Sequence, residues 1–401
     1  MSTLSIAYYF TFERMKVTNQ TVNNDGKRAY IEIEPDKRFH PVCHMCKGTN
    51  TTIHCWESRD IRDLPLGEAE VLLKYTYRKV YCSDCNKIVV EELDVCQPRA
   101  RMTNRFAWHL HDMCKSMSVK DVAERYNLGW HVVKNVDKYF LEKEYGTPDY
   151  DNLKIIAVDE IALKKGHQYI TEVLNYETGE VIWMGKDRRA ETLIAFFNEL
   201  TVEQRKALKA VAMDMWDPYI KAVKDCVPHV EIVFDLFHVV AAFGRVIDHI
   251  RITEYNKASA EHKYVFKGSK YLLLKNTENI KKISHRQQLK ELCRINETIN
   301  TVLILRDQLK HLWDYVSPGW AMRALAKWIQ MAMKITCKEM KTFCKRLLRY
   351  FFGIVSHCKY AIHNSKLEGV NNKIKLIKRI GYGYHDQRYF FLKVKQAFAV
   401  K

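Results

Sequence analysis

Acidic residues are in short supply: 47 Asp and Glu face 65 Lys and Arg over 401 residues, a formal net charge of +18. A chain that basic meets a polyanion, nucleic acid before an anionic membrane. Long apolar runs are missing too. No window approaches 18 uncharged apolar residues, which argues against a membrane-spanning helix and a membrane partner. The apolar stretch from Leu4 to Phe12 has neither a basic region before it nor a small-residue cleavage site after it, so no signal peptide is expected. The expected location is the cytoplasm, with the protein DNA-associated when bound. Glycine (15) and proline (8) are too few for a fibrous chain, and 47% apolar content excludes a disordered one. The length suits two or three domains, at least one with a substantial core.

Twelve cysteines would suggest disulfides in an exported protein. Six of them, Cys114, Cys226, Cys293, Cys337, Cys344 and Cys358, are scattered singly and read as reduced core thiols. The other six crowd between residues 43 and 96. Cys43-His-Met-Cys46 and Cys82-Ser-Asp-Cys85 are two metal-binding knuckles, enough to complete the tetrahedral shell of one structural Zn²⁺. The 35 residues between them exceed the usual ribbon spacing, but closing a longer loop adds only about 0.6 kcal/mol per doubling. Val71 to Tyr81 reads as a strand running into the second knuckle. His44, His54, Cys55 and Cys96 are single competitors for the metal and read more simply as surface or packed side chains.

From Arg99 to Glu144 the apolar spacing is helical. Ser118 and Asp121 resemble a capping box, Val122, Ala123 and Tyr126 face inward, Asn127 to Gly129 form a turn, and Val132, Val133 and Val136 anchor a second helix. This predicts a helix-turn-helix with Lys120, His131 and Lys134 pointing outward to DNA, although helical hairpins also serve as plain scaffolding.

Beyond Leu153 the pattern is β-β-β-α-β-α-β: strands at Ile155 to Ile161, Gln168 to Leu174 and Val181 to Met184, a helix from Ala190 to about Leu208, a strand to Met213, a short helix after Pro218, and a strand from Val230 to Phe234. That order, with acids in the first and after the fourth strand, is the ribonuclease H-like arrangement. Asp159 lies within an apolar strand and Asp214 ends another, where an ionised carboxylate needs a cation to offset its burial. Together they would hold Mg²⁺ or Mn²⁺; taken singly, each reads as a paired or capping acid. Asp217 and Asp235 compete with Asp214. Glu368 offers a third ligand on a later helix, where Asn371, Asn372, Lys375 and Arg379 fall near the same face. Residues 359–401 hold ten Lys or Arg and two acids. The helical, Leu- and Lys-rich stretch from about Arg245 to Ile362 reads as an insertion in which Trp313, Trp320 and Trp328 are mostly core.

These segments together resemble the ISL3-family transposases of bacterial insertion sequences over essentially the whole chain. The resemblance is carried by the knuckles with Arg59-Asp-Ile-Arg-Asp-Leu-Pro65 between them, Ala157-Val-Asp-Glu-Ile161, Met213-Asp-Met-Trp-Asp-Pro-Tyr219, Phe234-Asp-Leu-Phe-His-Val239 and Asn364-Ser-Lys-Leu-Glu-Gly-Val-Asn371, running on to Ile377-Lys-Arg-Ile-Gly-Tyr-Gly383. It implies a multidomain α/β protein: an N-terminal segment (1–35), a zinc ribbon (36–97), a helix-turn-helix domain (98–148), and a ribonuclease H-like catalytic domain (149–244 and 361–401) interrupted by an all-helical insertion (245–360). It further implies a DDE triad of Asp159, Asp214 and Glu368 binding two catalytic Mg²⁺ or Mn²⁺ ions, with Asp235 and His238 a secondary signature. The N-terminal modules would bind terminal inverted repeats, Asn371, Lys375, Lys378 and Arg379 would contact DNA near the cut, and a dimer or larger assembly would join two ends to target DNA. The alternative is a catalytically inactive, transposase-derived DNA-binding regulator.

Overall fold

The computed structural model describes residues 9–97, 99–164, 168–360, 362 and 365–399. The chain forms two compact units, Met1–Gly146 and Thr147–Lys401.

In the first unit, strands β1 (Met15–Val22), β2 (Arg28–Pro35), β3 (Thr51–Leu66), β4 (Ala69–Cys82) and β5 (Lys87–Val90) share one sheet, ordered β1-β2-β4-β3 with β5 also on β4. Alternation sets its faces: Ala29, Ile31 and Ile33 of β2 and Val71, Leu73 and Tyr75 of β4 bury against Phe10, Phe12 and Val95. Because β2 pairs in parallel with β4, strands from before residue 36 belong to the sheet that carries the cysteines.

Three helices follow, α1 (Asn104–Met113), α2 (Val119–Arg125) and α3 (Trp130–Tyr145). Ser118 caps α2, its Oγ accepting from the Asp121 N–H at 3.2 Å and donating to the Asp121 carboxylate at 2.7 Å. Asp is a methylene shorter than Glu and engages the hydroxyl itself. The turn passes through Asn127 at φ 49°, left-handed backbone that asparagine tolerates. Val122, Ala123 and Val133 are buried against Phe106 and Leu110, with Tyr126, Val132 and Val136 at the margin of that core. Asp63, at the end of β3 and 1% exposed, accepts from Thr103 Oγ1 at 2.6 Å and from Arg105 Nε at 2.8 Å, and a second Arg105 nitrogen completes the pair. Thr103 is the N-cap of α1, so one buried carboxylate fastens the sheet to the helices.

The second unit is built on a sheet ordered β10-β9-β6-β7-β8: β6 (Ile155–Lys164), β7 (Gln168–Asn175) and β8 (Val181–Lys186) form an antiparallel meander, and β9 (Ala210–Met213) and β10 (Glu231–Phe234) run parallel to β6. Ile156, Val158, Val211 and Met213 pack on one side against α4 (Ala190–Glu199) and α6 (Asp217–Cys226). Ala157, Ile161, Ile170, Leu174 and Ala212 face the other side, covered by α15 (Ser365–Ile380) through Leu367, Val370 and Ile374 and by α16 (Gln387–Phe398) through Phe390 and Val394.

Three expectations change here. The helix expected from Ala190 to Leu208 is broken: Leu200 is extended and Thr201 starts α5 (Val202–Ala207) through a capping box with Gln204. The helical segment also begins earlier than 245, since Asp235 caps α7 (Leu236–Lys257) directly after β10. It continues through α8 (Ala260–Phe266), α9 (Lys270–Leu274), α10 (Ile283–Ile295), α11 (Glu297–His311), α12 (Pro318–Ala332), α13 (Lys338–Arg349) and α14 (Phe351–Val355). Trp328 is core, its Nε1 donating to the Leu305 carbonyl at 2.7 Å, and Trp313 is half-buried on His357. Trp320 is not core: it is 61% exposed near the start of α12, with Arg323 over its ring.

Replacing Asp63 leaves the Arg105 guanidinium without its carboxylate. We expect Asp63→Ala to destabilise the first unit by about 2 kcal/mol, below the range for a fully buried pair because Arg105 is partly exposed. Denaturant unfolding of the full chain measures this, and an unchanged midpoint would exclude an anchoring role.

Candidate metal and nucleic-acid sites

Cys43, Cys46, Cys82 and Cys85 converge, with all four sulfurs within 4.8 Å of one another. Cys43 Sγ lies 3.9 Å from Cys85 Sγ, and Cys46 Sγ 3.6 Å from Cys82 Sγ. Four bonds of about 2.3 Å at tetrahedral angles require sulfur separations of about 3.8 Å, so the cluster fits Zn²⁺. Both knuckles are built alike: the residue after each, Lys47 (φ 62°) and Asn86 (φ 52°), is left-handed, and the backbone N–H groups of Met45 and Cys46 face Cys43 as those of Asp84 and Cys85 face Cys82. Hydrogen bonds from the Cys46 and Met45 backbone lower the Cys43 thiol to about 7, favouring the thiolate that binds metal. Two of the competitors are engaged elsewhere: His44 Nδ1 meets the Val90 carbonyl at 2.8 Å, and Cys96 accepts from Arg59 at 2.9 Å.

Helix α3 is exposed at its start: Trp130 is 61% exposed and Gly129, the N-cap, supplies no side-chain hydrogen bond. Unsatisfied N–H groups at such a terminus suit phosphate. Lys120 is exposed and 3.6 Å from Glu124, His131 is exposed, and Lys134 is half-buried.

In the second unit, Asp159 sits on β6 and Asp214 directly after β9, on the side of the sheet that α15 covers. Asp159, Asp214, Asp235 and Leu367 line one small crevice. Asp214 Oδ1 is 3.0 Å from His238 Nε2, which lies 3.6 Å from Asp235 Oδ2. Asp235 also accepts from the Phe237 N–H at 2.9 Å as N-cap of α7, so one acid both starts the helix and faces its histidine. The Asp214 hydrogen bond raises the His238 pKa above the ordinary imidazole value, against the effect of burial. Asp159 is raised to about 6 by burial, with the Asp214 charge adding to it and a hydrogen bond from Asn371 opposing it.

Asn371 Nδ2 donates to Asp159 Oδ2 at 2.6 Å, joining residues 212 apart in sequence. Glu368 lies one turn earlier on α15 and is exposed. Among the described residues, the acidic group with mutually close ligand atoms is Asp214, Asp235 and His238; Asp159 and Glu368 are not members of it. Asp217 points elsewhere, accepting from Tyr350 Oη at 2.7 Å and pairing with Arg349 at 3.1 Å. Lys375 and Arg379 are exposed, and Lys378 is half-buried. His363 and Asn364, at the start of the Glu368 motif, lie outside the described residues.

Glu172 escaped the sequence reading. It lies opposite Asp159 on β7, is fully buried, and its pKa is driven well above the carboxylate range by burial and by the Asp159 charge. The signal was the one that marked Asp159, an acid inside the apolar run Tyr169-Ile-Thr-Glu-Val-Leu174.

Residues 156–394 match a transposase family model of the ISL3 type, and residues 91–141 match the helix-turn-helix domain of transposase family ISL3. The two matches define the chain as a transposase with a helix-turn-helix DNA-binding domain. It is 38% identical over 379 residues to the transposase for insertion sequence element IS1001 of Bordetella parapertussis, covering 93% of this chain and 92% of that protein. It is 24% identical over 393 residues to the transposase for insertion sequence element IS1557 of Mycobacterium tuberculosis, covering 90% and 86%. The chain belongs to the ISL3 family of transposases.

If zinc fills the cysteine cluster, the purified protein carries one zinc per chain by elemental analysis. Cys82→Ser or strong chelation should then remove it and melt the first unit at lower temperature. A zinc-free protein with an unchanged melting curve would reject the site.

Proposed function

We propose that this protein cuts and joins DNA at the ends of a bacterial insertion sequence, using Asp159, Asp214 and Glu368 as a DDE triad on a ribonuclease H-like domain. The observation that carries the reading is the hydrogen bond from Asn371 to Asp159, because it docks α15 on the sheet with Glu368 one helical turn away. The sheet order β10-β9-β6-β7-β8, with β6 central and β9 beside it, supports the ribonuclease H-like assignment.

The donors are hard oxygens, which suit Mg²⁺ or Mn²⁺. Two such ions would activate the attacking oxygen and stabilise the leaving 3′ oxygen in an in-line displacement. Asp159, Asp214 and Glu368 would hold them, and exposure of Glu368 leaves its carboxylate open to a site completed when DNA arrives. His238 steadies Asp214, and Asp235 steadies His238. Water is the first nucleophile, and the 3′-OH it liberates is the second, so no covalent protein intermediate is needed.

Upstream, Zn²⁺ on the four cysteines would stiffen the sheet that carries the helix-turn-helix. Lys120, His131 and Lys134 would address the terminal inverted repeats, and Asn371, Lys375, Lys378 and Arg379 the backbone beside the cut. Joining two ends to target DNA in step calls for a dimer or larger assembly, acting in the cytoplasm on the nucleoid.

The test is a labelled element end incubated with Mg²⁺ and wild type, Asp159→Asn or Glu368→Gln. Each variant should bind the end as wild type does and cut it slower by roughly 10³-fold. Cutting at equal rates would reject the triad, and binding without cutting by all three proteins would identify an inactive DNA-binding descendant. In the same binding assay, Lys120→Ala should weaken affinity similarly across sequences and reduce the salt slope by about one; an unchanged slope would remove Lys120 from the interface.

A further inference from the structure

Each buried carboxylate among the described residues has a partner except one. Asp36 accepts from the Arg38 N–H at 2.9 Å, Asp63 from Thr103 and Arg105, and Glu91 from Arg78 Nε at 2.8 Å, while Asp137 meets His111 Nδ1 at 2.7 Å. Glu172 is 0% exposed, and neither Oε1 nor Oε2 has a hydrogen-bond partner. It stands directly across from Asp159 in the antiparallel β6–β7 register, so both side chains leave the sheet on the same side, under α15. Asn371 reaches down to that side with its amide nitrogen on Asp159 Oδ2, and its own Oδ1 is buried and unpartnered too.

The result is a buried interface with three orphaned oxygen acceptors beside a carboxylate. A single proton on Glu172 would supply one donor and leave the other oxygens unanswered. Lys375, the cation on α15 whose charge reaches Glu172, makes no hydrogen bond to it. Oxygen-only donors with two carboxylates are the surroundings a hard divalent cation takes.

We propose that Glu172, Asp159 and Asn371 form an additional divalent-cation site beneath α15, separate from the Asp214, Asp235 and His238 group. Glu172 and Asn371 Oδ1 supply its own ligands, and Asp159 is shared with the proposed catalytic centre. The ion ties β7 to α15, so its occupancy sets how firmly the helix carrying Glu368 is docked. The proposal extends the metal reading of Asp159 but is tested without cleavage.

Mn²⁺ binding to the full-length protein, without DNA, is titrated by electron paramagnetic resonance of the free ion. Glu172→Gln should bind one fewer Mn²⁺ than wild type, or bind it at least tenfold more weakly, and Asp214→Asn should keep that ion. Mn²⁺ should slow hydrogen exchange across residues 365–380 in wild type and not in Glu172→Gln. Should the Gln variant fail to fold, Glu172→Met fills similar volume without acceptors; it should melt higher than metal-free wild type and show a smaller shift with Mn²⁺ than wild type, because only the proposed catalytic acids still bind the ion. Equal stoichiometry, affinity and exchange in wild type and Glu172→Gln, or a Mn²⁺-induced melting shift as large in Glu172→Met as in wild type, would overturn the site. Those outcomes leave cleavage by Asp159 and Glu368 untouched, whereas loss of the triad with an intact Glu172 effect would reject the catalytic reading alone.

Discussion

Negative charge gathered on one buried sheet face is the constraint around which the second unit is arranged. Asp159 occupies the central strand, with β7 on one side and β9 on the other, and is half-buried there. Asp214 and Glu172 approach from those two neighbouring strands. A protein interior strengthens their mutual repulsion as much as it would any attraction. Two polar groups answer it, Asn371 from α15 and His238 from α7, and both come from elements beyond the last strand of the sheet. The meander, the parallel pair and the closing helix are therefore parts of one electrostatic arrangement, and the apolar contacts of Leu367, Val370 and Ile374 hold it shut.

The first unit solves a different problem. Its sheet buries few large side chains for its length, and two further devices reinforce it. The paired knuckles bring four sulfurs to tetrahedral spacing, and Asp63 fixes the N-cap of α1 to the end of β3. The Arg59 to Pro65 motif thus has a structural reading in which Asp63 is the anchor and Arg62 lines the same seam, with its backbone N–H on the Arg101 carbonyl at 2.9 Å. A helix-turn-helix needs such rigidity, because a recognition helix that wobbles on its support reads shape poorly.

Strong periodicity was readable from residues alone. The strands at 155, 168 and 181, the turn at Asn127 and the cysteine spacing all reappear, because each is set by local chemistry or by one-sided burial. What escaped was set by distant partners. Strands β1 and β2 are half polar, and become strands as β2 pairs with β4 and β1 with β2. Trp320 looked like core from composition, but it falls on the outward side of α12, whose buried residues are Ala321, Leu325, Trp328, Ile329 and Ala332. The break at Leu200 was written in Thr201 and Gln204, a capping signal lying inside a stretch that otherwise reads as one helix. The candidate site was half visible: acids in apolar strands stood out, but only tertiary pairing opposes Glu172 to Asp159 or lays Asn371 across it.

Asn371 and Asp159 are 212 residues apart, and the order of the chain makes that separation a matter of time. At ribosomal speeds of about 5–20 residues per second, roughly 10–40 s pass between synthesis of the strand and synthesis of the helix that lids it. The first unit, complete by Gly146, has by then long been free to fold. For that interval the acids on β6 and β7 have no helix over them, and the contact that covers them forms only once nearly the whole chain has been made.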